Sequence, residues 1–120
     1  MKIKKILLVD DVNLFLEQEK GYFDRNEFRI LTANDGNKAL ETVKKEQPDI
    51  VFMDLYMPGM DGDRCCYLIK SDEKLRHIPV IMVTQGVSDD DFERCWQAGC
   101  DDIIAKPINR FFFLAIIKRY

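Results

Sequence analysis

Five short apolar runs punctuate the chain, and each is followed by a stretch with helical character. They span Lys5 to Asp10, Phe28 to Thr32, Asp49 to Asp54, Pro79 to Thr84 and Asp101 to Lys106. Four of the runs are continuous rather than alternating, which is the pattern of strands covered by helices on both faces. Their ends recur at intervals of about 22 to 30 residues, room for one helix, two short loops and a strand. The pattern predicts an α/β fold, (βα)5, with a doubly wound five-stranded parallel sheet. Right-handed crossovers and helices on both faces then favour the strand order 2-1-3-4-5.

Helix punctuation agrees with this division. Ala39, Leu40 and Val43 fall on one stripe of the segment that begins at Asp35, and Pro48 stops it. Ser88 is placed to cap a helix from Asp89 to Ala98, whose acidic first turn suits the positive end of a helix dipole. Gly99 follows as a stop. The 120 residues, 47% hydrophobic and 32% charged, suit one domain spanning 1–120 with a real core. Because no helix-ending signal precedes Tyr120, that domain is read as the N-terminal part of a longer protein.

Several function classes are excluded at this level. No apolar run approaches the roughly 20 residues needed to span a bilayer. Met1 to Val9 starts with Lys2, Lys4 and Lys5, but its apolar part is only Ile6 to Val9, with Asp10 and Asp11 next. A secretory signal needs about 7 to 15 apolar residues, so this segment reads as a strand. A net charge of −3, with lysines and arginines interleaved among acids, argues against a nucleic-acid face. Cys65, Cys66, Cys95 and Cys100 form no C-x-x-C pair and read as reduced thiols of a cytoplasmic protein. Of the adjacent pair Cys65 and Cys66, one thiol is expected inward and the other toward solvent.

Chemistry gathers at the strand ends. In an open parallel sheet, ligands sit beyond the C-terminal ends of the strands, where strand order reverses. Strand 1 ends in Asp10 and Asp11, strand 3 in Asp54, strand 4 in Thr84 and strand 5 in Lys106. An aspartate at a strand end is commonly only a cap or turn former. Independent caps, however, have no reason to supply complementary chemistry at four of five ends. Clustered carboxylates repel and call for a hard divalent cation, magnesium or another such as manganese, with oxygen ligands. Asp10 and Asp11 are then the metal holders. Asp54, on the central strand, is the candidate nucleophile toward phosphorus, with Lys106 and Thr84 placed to contact a phosphoryl group.

At this point the sequence resembles the response-regulator receiver family over essentially its whole length. The motifs are Val9-Asp10-Asp11, the segment Asp54 to Gly62, Val83-Thr84 and Ala105-Lys106-Pro107. The resemblance implies a flavodoxin-like, chemotaxis-type receiver phosphorylated on Asp54 by a sensor histidine kinase, a phosphotransfer protein or a small phosphodonor. It implies magnesium on Asp11, Asp54 and the backbone carbonyl of Tyr56, with Asp10 acting through water, and a cis Lys106–Pro107 bond. It further implies a signalling switch of a two-component phosphorelay, with slow self-dephosphorylation, rather than an enzyme in the ordinary sense. Its output face would be helix 4, strand 5 and helix 5, docking a downstream protein, an effector domain of its own or a second copy. The aromatic helix from Asn109 to Tyr120 points to the same face.

Three residues depart from the family pattern. Ile103 stands where a tyrosine or phenylalanine usually swings between two positions, and Gln85 stands where a small residue is usual. Tyr56, two residues after Asp54, lies beside the path of hydrolytic water and is expected to shield an acyl phosphate. Ile103 and Gln85 favour a competing reading, a pseudo-receiver that binds partners without phosphate. A phosphatase with an aspartate nucleophile ranks lower, since Val12 and Asn13 follow the acidic pair where an Asp-x-Asp pattern is needed. His77, the one histidine, reads as a surface loop residue, and Phe92 and Trp96 as core or half-exposed packing.

Overall fold

A computed structural model describes residues 4–85 and 88–120. The strand reading of Met1 to Val9 is therefore tested from Lys4 onward, and Gly86 and Val87 lie outside the described residues. The elements alternate as expected: β1 (Lys4–Val9), α1 (Asn13–Lys20), β2 (Phe28–Ala33), α2 (Gly36–Glu46) and β3 (Ile50–Asp54). They continue as α3 (Gly62–Ser71), β4 (Val80–Thr84), α4 (Asp89–Gln97), β5 (Asp102–Ala105) and α5 (Arg110–Arg119). All four strand pairings are parallel, in the order β2-β1-β3-β4-β5. No helix among the described residues is long and apolar enough to cross a membrane.

The continuous apolar strands are explained by two cores, one on each face of the sheet. Leu7, Val9, Val51, Met53, Val80 and Met82 point toward α2, α3 and α4. Their sequence neighbours Ile6, Leu8, Ile50, Phe52, Ile81 and Val83 point toward α1 and α5. Side chains alternate along a strand, so burying both faces removes polar positions from the interior of the middle strands and leaves them only at the ends, as at Asp54 and Thr84. Phe113 of α5 anchors the second core, with its ring 4.7 Å from that of Phe52 and 5.7 Å from that of Phe23. Edge-to-face packing of this kind adds to plain area burial.

Local signals place the helix starts. Asp35 caps α2 by accepting from the Lys38 N–H at 2.8 Å, and Asn109 caps α5 by accepting from the Phe112 N–H at 2.9 Å. Ser88 and Asp91 form a reciprocal capping box at α4. Gly99 takes φ +89 beyond the end of α4, a left-handed conformation in which a side chain would be strained.

The cysteine expectation is corrected. Cys65 and Cys66 are both fully buried, as are Cys95 and Cys100 apart from a few per cent exposure of Cys100. Helix α3 lies with its start against α2 and its flank against α4, so adjacent positions both face protein. The Cys65 Sγ donates to the Gly36 carbonyl at 3.5 Å and the Cys66 Sγ to the Ala98 carbonyl at 3.7 Å. Burial pushes the Cys65 thiol up to about 12, which leaves it protonated and inert near neutral pH.

Helix α5 turns Phe113, Ile116 and Ile117 inward and leaves Phe111 80% and Phe112 51% exposed. Replacing Phe113 with alanine is expected to lower the unfolding free energy by about 3–5 kcal/mol. Phe111→Ala should stay within about 0.5 kcal/mol of the parent. Urea denaturation of the two variants checks both the two-core packing and the rotation of α5.

Candidate phosphoryl-transfer site

Register brings the acidic residues together. Val9 of β1 pairs with Met53 of β3, so Asp10 and Asp54 follow side by side at the C-terminal edge of the sheet. One carboxylate oxygen each of Asp10, Asp11 and Asp54 lies within 4.8 Å of the others. Asp10 and Asp54 are buried while Asp11 is exposed. Thr84, at 1% exposure, closes β4 beside them. From β5, the Lys106 Nζ reaches Asp10 Oδ2 at 2.8 Å and Asp54 Oδ1 at 3.5 Å. Asp10 also accepts from the Val12 N–H at 2.9 Å, which fixes the turn into α1. Together with Tyr56, Gln85, Phe15 and Val12, four of these side chains line a cleft of about 310 Å³.

The segment after β3 is shaped by glycine. A Cβ on Gly62 would lie 1.9 Å from the Asp54 carbonyl oxygen, so only glycine lets α3 start against the end of β3. The Gly62 N–H closes that loop onto the Leu55 carbonyl at 2.7 Å. The Lys106–Pro107 bond is cis.

Charge in the cleft is unbalanced. Burial raises the Asp54 carboxyl to about 6, repulsion from Asp10 and Asp11 adds to the rise, and Lys106 opposes it. Burial pulls the Lys106 ammonium down, but the Asp10 hydrogen bond and the Asp54 charge outweigh that and hold it above its ordinary value. Three carboxylates facing one ammonium leave room for a hard dication. The donor set suits one, because magnesium takes one or two carboxylates plus waters and phosphate oxygens. Not every strand-end acid belongs here. Asp49 accepts from the Lys5 N–H at 2.7 Å and Asp101 from the Val80 N–H at 2.8 Å, both serving the backbone at the opposite edge of the sheet.

Comparison with known proteins now decides the family. The family model for the response regulator receiver domain matches residues 6–118. The chain belongs to that family. It is 33% identical over 117 residues to the polar-differentiation response regulator DivK of Brucella ovis, covering 98% of this chain and 95% of DivK. The receiver domain of sensor histidine kinase PA1611 from Pseudomonas aeruginosa superposes with a TM-score of 0.90 at 28% identity, covering 99% of this chain and 98% of that one. In that structure a magnesium ion is coordinated in the active-site cleft. The signal receiver domain of a histidine kinase from Syntrophus aciditrophicus gives 0.88 at 30% identity, covering 97% and 88%. The chain is thus a receiver domain, a signalling switch rather than an ordinary enzyme, and its acid cluster is compatible with phosphorylation and magnesium binding.

All six residues singled out in the receiver's sequence converge on one cleft: Asp10, Asp11, Asp54, Tyr56, Thr84 and Lys106. Two features escaped the sequence. Glu19 of α1 lines an adjoining hollow of about 470 Å³ that shares Phe15, Gln85 and Lys106 with the cleft. Burial raises its carboxyl to about 7, with repulsion from Asp10 contributing and Lys106 opposing. Nothing in the spacing of α1 marks it. The second feature is the set of contacts made by Tyr56, whose hydroxyl donates to Asp91 of α4.

A folded-state carboxyl held above its ordinary value costs stability progressively as pH rises from the ordinary value to the raised one, and the cost is complete above it. Glu19→Gln is therefore expected to raise the melting temperature at about pH 8 and to leave it near the parent at about pH 5. Asp54→Asn should raise the melting temperature of the metal-free chain near neutral pH and reduce the further rise that magnesium gives. Thermal melts with and without magnesium across pH check both signs.

Proposed function

We propose that Asp54 is the phosphoacceptor of this receiver domain, supplied by a phosphohistidine of a sensor histidine kinase or phosphotransfer protein or by a small phosphodonor. The supporting observation is the buried bridge from Lys106 to Asp10 and Asp54, in a cleft that Thr84 also lines. A carboxylate oxygen of Asp54 attacks phosphorus, a P–O bond forms, and the donor leaves with the electron pair of the bond it loses. Lys106 already touches the attacking carboxylate, so it can follow the charge outward onto a phosphoryl oxygen. Thr84 has a hydroxyl whose only described contact is a long 3.5 Å approach to the Gln85 carbonyl, so it is free to donate to another phosphoryl oxygen. Asp10, Asp11, Asp54 and the Tyr56 carbonyl would hold magnesium, which when bound neutralises the crowded oxygens.

The product is a charge change rather than a released compound. A phosphoryl group adds negative charge and strong acceptor oxygens beside Thr84 and Lys106. Receiver domains interact with histidine kinases and downstream effectors, and the face of α4, β5 and α5 fits that role here. Phe92, Trp96, Phe111 and Phe112 are all exposed on it. A shallow groove of about 320 Å³ runs along Ile103, Pro107 and Phe112. Such a face takes a downstream protein, an effector domain or a second copy, in the cytoplasm where the kinases deliver phosphate.

Incubation with acetyl phosphate and magnesium, followed by intact-mass measurement, is expected to show one added phosphoryl group. Asp54→Asn should show none, and chelation of magnesium should abolish the gain in the parent. A parent chain that stays unmodified, or an Asp54→Asn chain that gains the group, overturns the assignment and returns the pseudo-receiver reading.

A further inference from the structure

Tyr56 is not a free side chain at the mouth of the cleft. Although half exposed, it is held from two sides by α4. Its hydroxyl donates to Asp91 Oδ1, and the Arg94 guanidinium donates to the same hydroxyl oxygen at 3.2 Å. The Arg94 guanidinium also lies 5.2 Å from the centre of the Tyr56 ring. Arg94 is itself fixed, meeting Asp63 at the start of α3 through Nε at 3.2 Å and through a terminal nitrogen at 3.1 Å. It reaches Asp61 at 3.3 Å, and Asp61 accepts from the Met57 N–H at 3.3 Å within the loop that carries Tyr56. Helix α4 is thus tied to the β3–α3 loop by a charged, hydrogen-bonded knot, and the ring in that knot lines the cleft of Asp54.

We propose that Asp91 and Arg94 are positioning residues for Tyr56, so that the place of α4 sets the lifetime of a phosphoryl group on Asp54. The inference rests on Asp54 as the phosphoacceptor and adds to it a specific route of coupling. Loss of the acyl phosphate requires water to reach phosphorus, and a tyrosine pinned across the cleft narrows that approach. By this route a protein bound on α4 that shifts Asp91 or Arg94 alters the lifetime. It also answers the absence of a ring at position 103. Ile103 has neither a ring nor a hydroxyl with which to report on the cleft, whereas Tyr56 has both and already contacts α4.

The experiment follows phosphate loss by intact mass after magnesium-dependent loading of the whole chain, comparing the parent with four variants. Tyr56→Phe keeps the ring and removes the hydroxyl. Asp91→Ala removes the acceptor and half of the capping box. Ser88→Ala removes capping and leaves the Tyr56 contact, and the fourth variant combines Tyr56→Phe with Asp91→Ala. Tyr56→Phe and Asp91→Ala are each expected to shorten the lifetime by roughly threefold or more, and the double variant should be no faster than the faster single one. Ser88→Ala should keep the parental lifetime. Parental lifetimes in Tyr56→Phe, multiplied effects in the double variant, or a Ser88→Ala chain as fast as Asp91→Ala would each overturn the coupling while leaving Asp54 as phosphoacceptor. A parent that accepts no phosphoryl group removes the reading beneath it, and the coupling with it.

Discussion

Among the described residues, the carboxylates of Asp10, Asp11 and Asp54 share one end of a parallel sheet with the Lys106 ammonium group, and the rest of the receiver is arranged around that imbalance. Two unit charges about 4 Å apart interact by roughly 4 kcal/mol at an effective dielectric constant near 20. Lys106 therefore offsets only part of the repulsion among Asp10, Asp11 and Asp54. The excess negative charge suits a hard divalent cation, and such a cation held there would also let a phosphoryl group approach a carboxylate that otherwise repels it. The cleft is thus built to be unsatisfied by its own side chains.

A strained charge cluster persists only where its scaffold has no easy way to relax. The two cores supply that stiffness. Every residue of β3 is buried, with Met53 packed on the α2–α4 side and Phe52 on the side of α1 and α5. Asp54 is the last residue of this strand, and the close approach of Gly62 to its carbonyl leaves the backbone little freedom to withdraw. Asp10 is held in the same way, by the Val12 N–H and by Lys106. Repulsion in the cleft cannot be relieved by swinging the strands apart, so a ligand or a proton must relieve it.

The fold and the cleft were largely legible in the sequence because both depend on residues near strand ends. Continuous apolar runs reveal two buried faces, and parallel pairing then carries every C-terminal end to one edge. Asp10, Asp54, Thr84 and Lys106 needed only this rule to be gathered. What stayed hidden depends on helix rotation and on contacts between distant helices. The inward turn of Cys66 follows from where α3 lies against α4, and the exposure of Phe112 from how α5 seats Phe113, Ile116 and Ile117. Asp91 read as one more acid in a helix's first turn, which it is, but its bond to Tyr56 joins residues 35 positions apart. No local spacing encodes such a pair.

Asp91 illustrates why the two kinds of information differ. Its backbone N–H and side chain serve α4 locally through Ser88, and that part is written in a four-residue motif. The same carboxylate accepts from a tyrosine on another loop, and this second contact makes the helix a neighbour of the chemistry. Hydrogen bonding from Tyr56 leads the effects that hold the Asp91 carboxyl below its ordinary range, so the acid stays ionised for both tasks. Phe92 and Trp96 stand exposed on the same short helix. The exposed aromatic side of α4 and the cleft of Asp54 are therefore separated by one nine-residue helix and not by the depth of the sheet.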